Sequence, residues 1–323
     1  MPVDGNRTEN FSDPDPPADL DISIIIPLFN EVESLNELHE RVTAVMAAVG
    51  LSYELLFIDD GSQDNSAGVI ETFANQDPKV SLVSLKRNYG KSNALMVGFQ
   101  RARGARAITL DADLQDIPEN IPSLLAKENY DLVNGYRKDR KDKPIKRVLS
   151  TLFNKLINLV FKIDSKDLNS GFKVYKREFY KSLNLYGDLH RFIPVLAKMD
   201  GASFIEVAVE HAPRKHGHSK YPLFRIRGIW DIMSLSMMSS LQLRPFHFFA
   251  FYGLLILAGS LILFLYLLAS ENPDGGFTLA RPLFITMSIL GMNSFIVGLQ
   301  LEVTLNVYRK KTICNETIKK VRP

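Results

Sequence analysis

Three carboxylates fall within six residues in the segment Leu110-Asp111-Ala112-Asp113-Leu114-Gln115-Asp116, at the end of an apolar run at residues 107–111 that reads as a β-strand. Alternate residues of an extended chain share a side, so Asp111 and Asp113 can face one point. Two carboxylates are what a hard divalent ion needs when a substrate diphosphate brings its remaining oxygens. Asp116, ahead of Ile117 and Pro118, also suits the N-cap of a following helix with proline near its first position. Two earlier apolar runs end in polar residues as well, in Pro27-Leu28-Phe29-Asn30-Glu31 and in Ile58-Asp59-Asp60-Gly61-Ser62. A carboxylate at Asp59 or Asp60 can accept hydrogen bonds from a base imide or from ribose hydroxyls, and Gly61 permits a tight turn. By itself, Asp-Asp-Gly-Ser is also an ordinary turn.

The basic residues suggest anion chemistry. Arg87-Asn88-Tyr89-Gly90-Lys91-Ser92 ends in Gly-Lys-Ser at a probable helix start, but the position five residues before Gly90 is Leu85, so it is not a Walker loop. The free amides of that helix start, with Lys91, can still attract an anion. Arg137 follows Asn134-Gly135-Tyr136, Arg147 closes a run holding Lys138, Arg140, Lys141, Lys143 and Lys146, and Arg214 stands near His216, His218 and Lys220. Guanidinium groups stay charged and grip phosphate oxygens in bidentate fashion. The Lys-rich run equally suits solvent or anionic lipid. Without a nearby cysteine, and with Gly217 between them, the two histidines do not form a zinc site.

These residues need a scaffold, and the chain has the material for one. Of its 323 residues 46% are hydrophobic and 23% charged, which excludes disordered, collagenous and small disulfide-stapled classes. A net charge of +3 is too balanced for nucleic-acid binding to be the principal role, and Cys314, the single cysteine, cannot form an internal disulfide. Residues 1–20 carry Pro14, Pro16 and Pro17 among Asp4, Glu9, Asp13, Asp15 and Asp19, and are expected to be a disordered acidic tail. The tail lacks the basic start and apolar run of a signal peptide, so the domain behind it is expected to stay in the cytoplasm. From Ile22, short β-branched runs alternate with helical periods, the pattern of a parallel α/β sheet. Strands are expected at residues 22–27, 54–59, 80–85, 107–111 and 132–136, and Leu35, Leu38, Val42, Val45, Met46 and Val49 mark a helix closing at Gly50. The motif-bearing strand ends then share the carboxyl edge, where open α/β sheets bind ligands.

Residues 247–270 and 282–301 are uncharged, apolar and long enough as helices to cross a hydrocarbon core of about 30 Å. Arg244 precedes the first, Arg309, Lys310 and Lys311 follow the second, and Arg281 is the only basic residue of the link, which puts both ends in the cytoplasm. Before the first span, residues 226–241 hold Trp230 and seven other apolar positions between Arg225, Arg227 and Arg244, which suits a helix lying in the headgroup region. Gly253, Gly259, Gly291, Asn293, Ser294 and Gly298 suit helix contacts between subunits, and Glu302 lies near the cytoplasmic end, where it reaches the interface.

Taken in order, Pro27 to Glu31, Asp59 to Ser62, Asn88 to Lys91 and Asp111 to Asp116 resemble the motifs of family 2 glycosyltransferases of the GT-A fold. Asn169-Ser170-Gly171-Phe172-Lys173, His190-Arg191-Phe192 and Arg214-Lys215-His216-Gly217-His218-Ser219-Lys220-Tyr221, with two spans behind them, are similar to the polyisoprenyl-phosphate branch of that family. That branch includes dolichyl-phosphate mannose synthases and bactoprenol glucosyltransferases. The resemblance implies a GT-A type, Rossmann-like mixed sheet domain at 21–225, a juxtamembrane amphipathic helix at 226–245, a two-helix transmembrane hairpin at 246–310 and a basic cytoplasmic tail at 311–323.

The resemblance also implies inverting transfer of one sugar from a nucleotide diphosphate sugar to the phosphate of a membrane polyprenol. Pro27, Phe29, Glu31, Asp59, Asp60, Lys91 and Asp111 fall where such enzymes hold the nucleotide sugar, and Asp111, Asp113 and Gln115 where they hold Mg2+ or Mn2+. Arg137, Arg147 and Thr151 match acceptor-phosphate positions, joined by Arg214, Ser219 and Lys220 of a mobile loop. Asp113, Asp116, Asp167, Arg137 and Arg214 are the candidates for the chemical step. No general base is assigned, because a phosphate monoester with a second pKa of about 6 is already largely dianionic near neutrality. Asp188 departs from the acidic pair that many soluble relatives carry before their acceptor-site helix, so their base is not transferred. The expected partners are UDP-glucose, a polyprenyl phosphate such as undecaprenyl phosphate, the inner membrane and further copies of the chain, with no nucleic acid. GDP-mannose with a dolichyl acceptor, and a catalytically silent membrane adapter, are the alternatives. A nicotinamide enzyme is disfavoured because residues 27–31 replace the GxGxxG turn. A processive synthase is disfavoured because Trp230, the only tryptophan, does not complete a Gln-x-x-Arg-Trp motif.

Overall fold

The computed structural model describes residues 19–138, 155, 157–159, 161–213, 245–269 and 277–316. Residues 1–18 of the expected tail, the juxtamembrane helix, and Arg147, Thr151, Arg214, Ser219 and Lys220 lie outside the described residues. The chain divides into two compact units, Met1–Arg225 and Ile226–Pro323.

The first unit runs β1 (Leu20–Leu28), α1 (Leu35–Val49), β2 (Tyr53–Asp59), α2 (Ser66–Gln76), β3 (Val80–Ser84), α3 (Lys91–Arg101) and β4 (Gly104–Thr109). It continues with α4 (Ile121–Leu125), β5 (Leu132–Arg137), β6 (Lys173–Lys176), α5 (Arg177–Ser182), α6 (Ile193–Met199) and β7 (Phe204–Val209). The strands form one sheet in the order β3-β2-β1-β4-β6-β5-β7. Ile22, Ile24, Ile25 and Ile26 are buried together, as a central strand covered on both faces requires. Leu35, Leu38, Val42 and Met46 form the buried stripe of α1, which ends at Gly50 in the left-handed region (φ 75°) with its N–H bonded to the Met46 carbonyl.

The sheet is mixed, because β6 runs antiparallel to both β4 and β5. Neither β6 nor β7 is among the strands expected from the sequence; β6 has only four residues and carries lysine at both ends. β1 begins at Leu20, inside the range expected for the tail. β4 is shifted toward the N-terminus relative to the expected 107–111. Gly104 and Arg106, outside the expected range, pair with Leu20 and Ile22 of β1. After the Leu110 N–H bonds the Ile25 carbonyl at 3.2 Å the chain leaves the sheet, so Asp111 opens a loop rather than ending a strand.

One buried carboxylate holds three strands in register. Glu54 on β2 accepts the Ser23 hydroxyl of β1 at 2.6 Å and the Arg103 N–H at 2.8 Å, and Ser23 Oγ in turn accepts the Gly104 N–H of β4 at 2.7 Å. Glu54 is 4% exposed, so losing it leaves buried donors unpaired.

The second unit contains α7 (Pro245–Ala269) and α8 (Phe277–Glu316). Segments of 25 and 24 residues, Pro245–Ala269 and Arg281–Thr304, have mean hydropathies of 2.4 and 1.7 and are candidate membrane spans by length and composition. The two helices pack on each other through Gly253, Gly259, Gly291 and Gly298, with Ser294 Oγ donating to the Phe249 carbonyl at 2.7 Å. These small residues, expected to serve contacts between subunits, lie inside the hairpin of one chain. Glu302 accepts the Phe246 N–H at 3.3 Å, so its carboxylate sits at the positive end of α7.

Glu54→Ala is expected to cost about 2 kcal/mol of stability. The check is thermal unfolding of the full chain in detergent; an unchanged midpoint would show that this carboxylate does not hold the three strands.

Candidate active site at the carboxyl edge

The loops after β1 and β2 are bonded to each other. Asn30, with φ of 53°, accepts the Gln63 N–H on its side-chain oxygen at 2.7 Å, and its own N–H donates to Ser62 Oγ at 2.8 Å. The Glu31 N–H donates to Ser66 Oγ at 3.1 Å, while Pro27 and Phe29 are half-buried. Asp59 is buried and accepts the Ser62 N–H at 2.9 Å, closing the turn. Gly61 (φ 74°) is obligatory there, because a Cβ would lie 2.5 Å from the Arg87 carbonyl carbon.

Asp60 fixes the next loop. Its two oxygens accept the Tyr89 N–H at 2.7 Å and the Gly90 N–H at 2.9 Å, which sets the entry to α3. Burial pushes the Asp60 carboxyl above its ordinary value, against the pull of those two donors. With the entry set, Lys91 at the start of α3 forms an ion pair with Asp111. Ser92, next along, bonds His190 twice, its Oγ lying 2.9 Å from Nδ1 and accepting the His190 N–H at 3.1 Å.

Burial alternates along the acidic segment, although residues 112–114 form a turn, with Leu114 in the left-handed region (φ 60°), rather than the extended chain expected. Asp111, Asp113 and Gln115 are partly exposed, and Ala112, Leu114 and Asp116 are buried. Burial pushes the Asp111 carboxyl up, but the charge and hydrogen bond of Lys91, with Lys173 and Arg137 behind them, outweigh it and hold the group below the ordinary range. Asp116 lies on the covered side with Oδ2 3.4 Å from the Asp111 N–H, and burial followed by the Asp111 charge pushes it up to about 7. It caps no helix. Ile117 holds the N-cap position of the short 3-10 turn Pro118–Asn120, because the Asp116 carboxylate turns back toward Asp111.

The Asn169-Ser170-Gly171-Phe172-Lys173 segment closes the other side. A Cβ on Gly171 would lie 2.6 Å from Asp111 Cγ, so glycine is what lets this loop touch the carboxylate, and its carbonyl accepts the Thr109 hydroxyl at 2.7 Å. Lys173 is 1% exposed and donates to the Ser170 carbonyl. Burial, then Lys91, lower its ammonium to about 8 against the attraction of Asp167, Asp111 and Asp116.

Arg137, at the end of β5, meets Asp167 in a bidentate pair, Nε to Oδ2 at 2.6 Å and Nη2 to Oδ1 at 2.9 Å. Asp167 is held from below by Glu206 of β7, whose carboxylate accepts the Ser165 hydroxyl at 2.6 Å, the Lys166 N–H at 2.8 Å and an Asn134 amide N–H at 3.0 Å. Sequence reasoning missed Glu206: one acidic residue in Phe204-Ile205-Glu206-Val207 reads as the solvent face of a strand. It also gave Lys173 and Ser92 no role, although both stand in quoted motifs.

Pro27, Phe29, Glu31, Asp59, Asp60, Lys91, Asp111, Asp113, Gln115, Asp116, Arg137 and Asp167 thus lie on strand ends and loops of one sheet edge. The Ala212 N–H donates to the Gln115 carbonyl at 3.0 Å, which brings the chain two residues before Arg214 against the acidic segment. Among the described residues no three His, Cys, Asp or Glu side chains gather into a metal site. Asp111 and Asp113, both partly exposed and two residues apart, nevertheless offer hard oxygens, a donor set that fits a divalent ion completed by substrate oxygens and water.

Comparison with known proteins gives the family and the fold. Residues 23–183 match Glycosyl transferase family 2. The chain is 38% identical over 276 residues to an undecaprenyl-phosphate 4-deoxy-4-formamido-L-arabinose transferase of Shewanella sediminis, covering 82% of each protein. It is 34% identical to a dodecaprenyl-phosphate galacturonate synthase of Rhizobium johnstonii, covering 87% of this chain and 85% of that one. Among solved structures, mannosyl-3-phosphoglycerate synthase from Rubrobacter xylanophilus superposes with a TM-score of 0.52 at 18% identity, over 69% of this chain and 74% of that one. Glucosyl-3-phosphoglycerate synthase from Mycobacterium tuberculosis, solved with Mn2+, UDP-glucose and phosphoglyceric acid, gives 0.51 at 19% identity, over 69% and 79%. At such identity these two speak for the fold, which is of GT-A type, while the sequence relatives cover 82% and 87% of the chain. It belongs to glycosyl transferase family 2, among the polyisoprenyl-phosphate glycosyltransferases.

Proposed function

We propose that this chain transfers a single sugar, with inversion, from a UDP-sugar to a polyprenyl phosphate at the cytoplasmic face of a membrane that its C-terminal hairpin spans. The observation that carries the reading is the pairing of opposite charges along one sheet edge, Lys91 with Asp111 and Arg137 with Asp167. Each cation is held in place by a carboxylate before any phosphate arrives, so positive charge is positioned in advance for two phosphate-bearing substrates. Glucose is the sugar we propose, on the resemblance to the bactoprenol glucosyltransferases alone. The two relatives are named for galacturonate and for 4-deoxy-4-formamido-L-arabinose, so those sugars belong beside glucose in any assay.

In this reading Asp60 and the Asn88–Lys91 turn shape the nucleotide end of the site, and Lys91 faces the diphosphate. Arg137 binds the acceptor phosphate, whose oxygen attacks the anomeric carbon as the bond to the diphosphate breaks, with the nucleoside diphosphate taking the bonding pair. Asp111 and Asp113 would hold Mg2+ or Mn2+, which offsets charge on the leaving diphosphate. Asp167 has both oxygens on the Arg137 guanidinium, so its proposed part is to orient that arginine rather than to take a proton. The basic flanks of the hairpin support a cytoplasmic placement of both ends and of the sheet domain.

Transfer of label from UDP-glucose, UDP-galacturonate, a UDP-4-deoxy-4-formamido-L-arabinose and GDP-mannose to undecaprenyl phosphate, with Mg2+ or Mn2+, tests the reading directly. One UDP-sugar is expected to label an organic-extractable product, and Asp111→Asn or Asp113→Asn to lower the rate on the order of 10²–10³-fold. Labelling from GDP-mannose would shift the donor. No product from folded protein with any donor would favour the adapter.

Asp167→Asn separates positioning from proton transfer. The expected result is a KM for polyprenyl phosphate raised about 10-fold, with the donor KM and the shape of the kcat–pH profile unchanged. Loss of the acidic limb of that profile would make Asp167 the base.

A further inference from the structure

The two ion pairs of the carboxyl edge are built differently. Arg137 and Asp167 meet through two hydrogen bonds, and the Asp167 side chain is 3% exposed, so that pair is shut away from solvent. Lys91 donates to Asp111 Oδ1, and there the carboxylate side chain is 36% exposed. A pair open to this degree can exchange partners. The second ammonium beside Asp111 cannot, because Lys173 is almost wholly buried and tied to the Ser170 carbonyl. Lys91 carries its charge on a flexible four-carbon stem, with 19% of the side chain exposed.

The place Lys91 takes is one that a divalent ion needs. Asp111 and Asp113 are the two carboxylates offered to such an ion, and each is already engaged within the protein. On one side of Asp111 stands Gly171, where a Cβ would lie 2.6 Å from Cγ and Oδ2 and 2.8 Å from Oδ1. On another stands Lys91, and Asp113 Oδ1 accepts the Gln115 N–H at 3.2 Å. An ammonium and a divalent ion on the same carboxylate repel each other at close range, so Asp111 serves one or the other. Asp60 fixes the backbone before Lys91 by accepting the Tyr89 and Gly90 N–H groups, which leaves the exchange to the lysine stem.

We infer that Lys91 stands in the place of the divalent ion at Asp111 and gives that place up when a nucleoside diphosphate offers the ammonium a new anion. Until then the carboxylate is neutralised from within the chain, and an ion alone gains little by displacing the lysine. With the diphosphate present, Lys91 turns to phosphate oxygens and Asp111 becomes available, so ion and nucleotide strengthen each other's binding by the same factor. The inference deepens the proposed function and rests on its assignment of Asp111 and Asp113 as ligands of the ion.

The test is Mn2+ binding to the purified full chain in detergent, read from the electron paramagnetic resonance signal of free Mn2+ with and without UDP. The parent is expected to bind Mn2+ weakly alone and on the order of 10- to 100-fold more tightly with UDP. Lys91→Met and Lys91→Gln are expected to bind Mn2+ about 10-fold more tightly than the parent without UDP, and less tightly than the parent with it. Opposite changes in the two conditions cannot come from a loosened fold. Lys79→Met removes the same charge just before β3, where Lys79 lies over the Tyr53 ring, and is expected to change neither affinity. Neutral Lys91 variants that bind Mn2+ no more tightly than the parent without UDP, or an equal gain from Lys79→Met, would overturn the inference while leaving the transferase reading intact. A folded parent that binds no Mn2+ even with UDP would instead remove the ion from the proposed function, and this inference with it.

Discussion

The charge on Asp111 is the feature around which the carboxyl edge is organised. It stands just past the last sheet hydrogen bond of β4, touches Gly171 and is answered by Lys91. An ion pair of this kind requires both partners to be delivered accurately, and each is delivered by a turn with its own support. Asp60 holds the turn before Lys91 by two backbone donors, and Gly61 lets the neighbouring turn come within contact of Arg87. On the other side Thr109 holds the Gly171 carbonyl. Cations are the natural counterweight to four nearby aspartates: Lys91, Lys173 and Arg137 share one region with Asp111, Asp113, Asp116 and Asp167. Asp116, displaced toward neutrality by burial and by the Asp111 charge, is the carboxyl the site can hold without a dedicated cation.

A second hierarchy supports Arg137. A guanidinium at the end of a strand has several long rotamers available, and its use as a phosphate ligand depends on selecting one of them. Asp167 selects it through two hydrogen bonds, and Glu206 fixes the loop that carries Asp167 through bonds to Ser165, Lys166 and Asn134. Glu206 belongs to β7, which pairs in parallel with β5, so the support and the arginine ride on adjacent strands. Order in the site therefore comes from the sheet and reaches the guanidinium through one loop.

How far the sequence foretells this follows from what each residue must do locally. β1 was legible from its run of buried isoleucines, β2 from the apolar run at residues 55–58, β3 from Val80, Leu82 and Val83, and α1 because its stripe and its terminal glycine agree. β6 and β7 were not, since a four-residue strand flanked by lysines and a strand bearing Glu206 carry no such signal. The acidic and Gly-Lys motifs were legible because their residue types are unusual at strand ends. Their pairing was not: that Lys91 answers Asp111, or that Asp167 embraces Arg137 from 30 positions away, depends on how separate loops meet. The Asp116 cap failed for the same reason, as a local rule was overridden by a neighbouring backbone N–H.

The membrane unit shows the same separation between composition and arrangement. From sequence alone, Gly253, Gly291, Asn293, Ser294 and Gly298 form one undifferentiated set of small and polar residues. Folding sorts them. Glycines and serines go where two helices of one chain must approach and bond, because a helix backbone can come close only over a small side chain. Asn293 gains nothing there and is left on the opposite face. In water that placement would be neutral, since solvent satisfies an exposed amide. At the centre of an apolar span no solvent is present to satisfy that amide, so the cost of the same placement is set by the medium in which the hairpin resides.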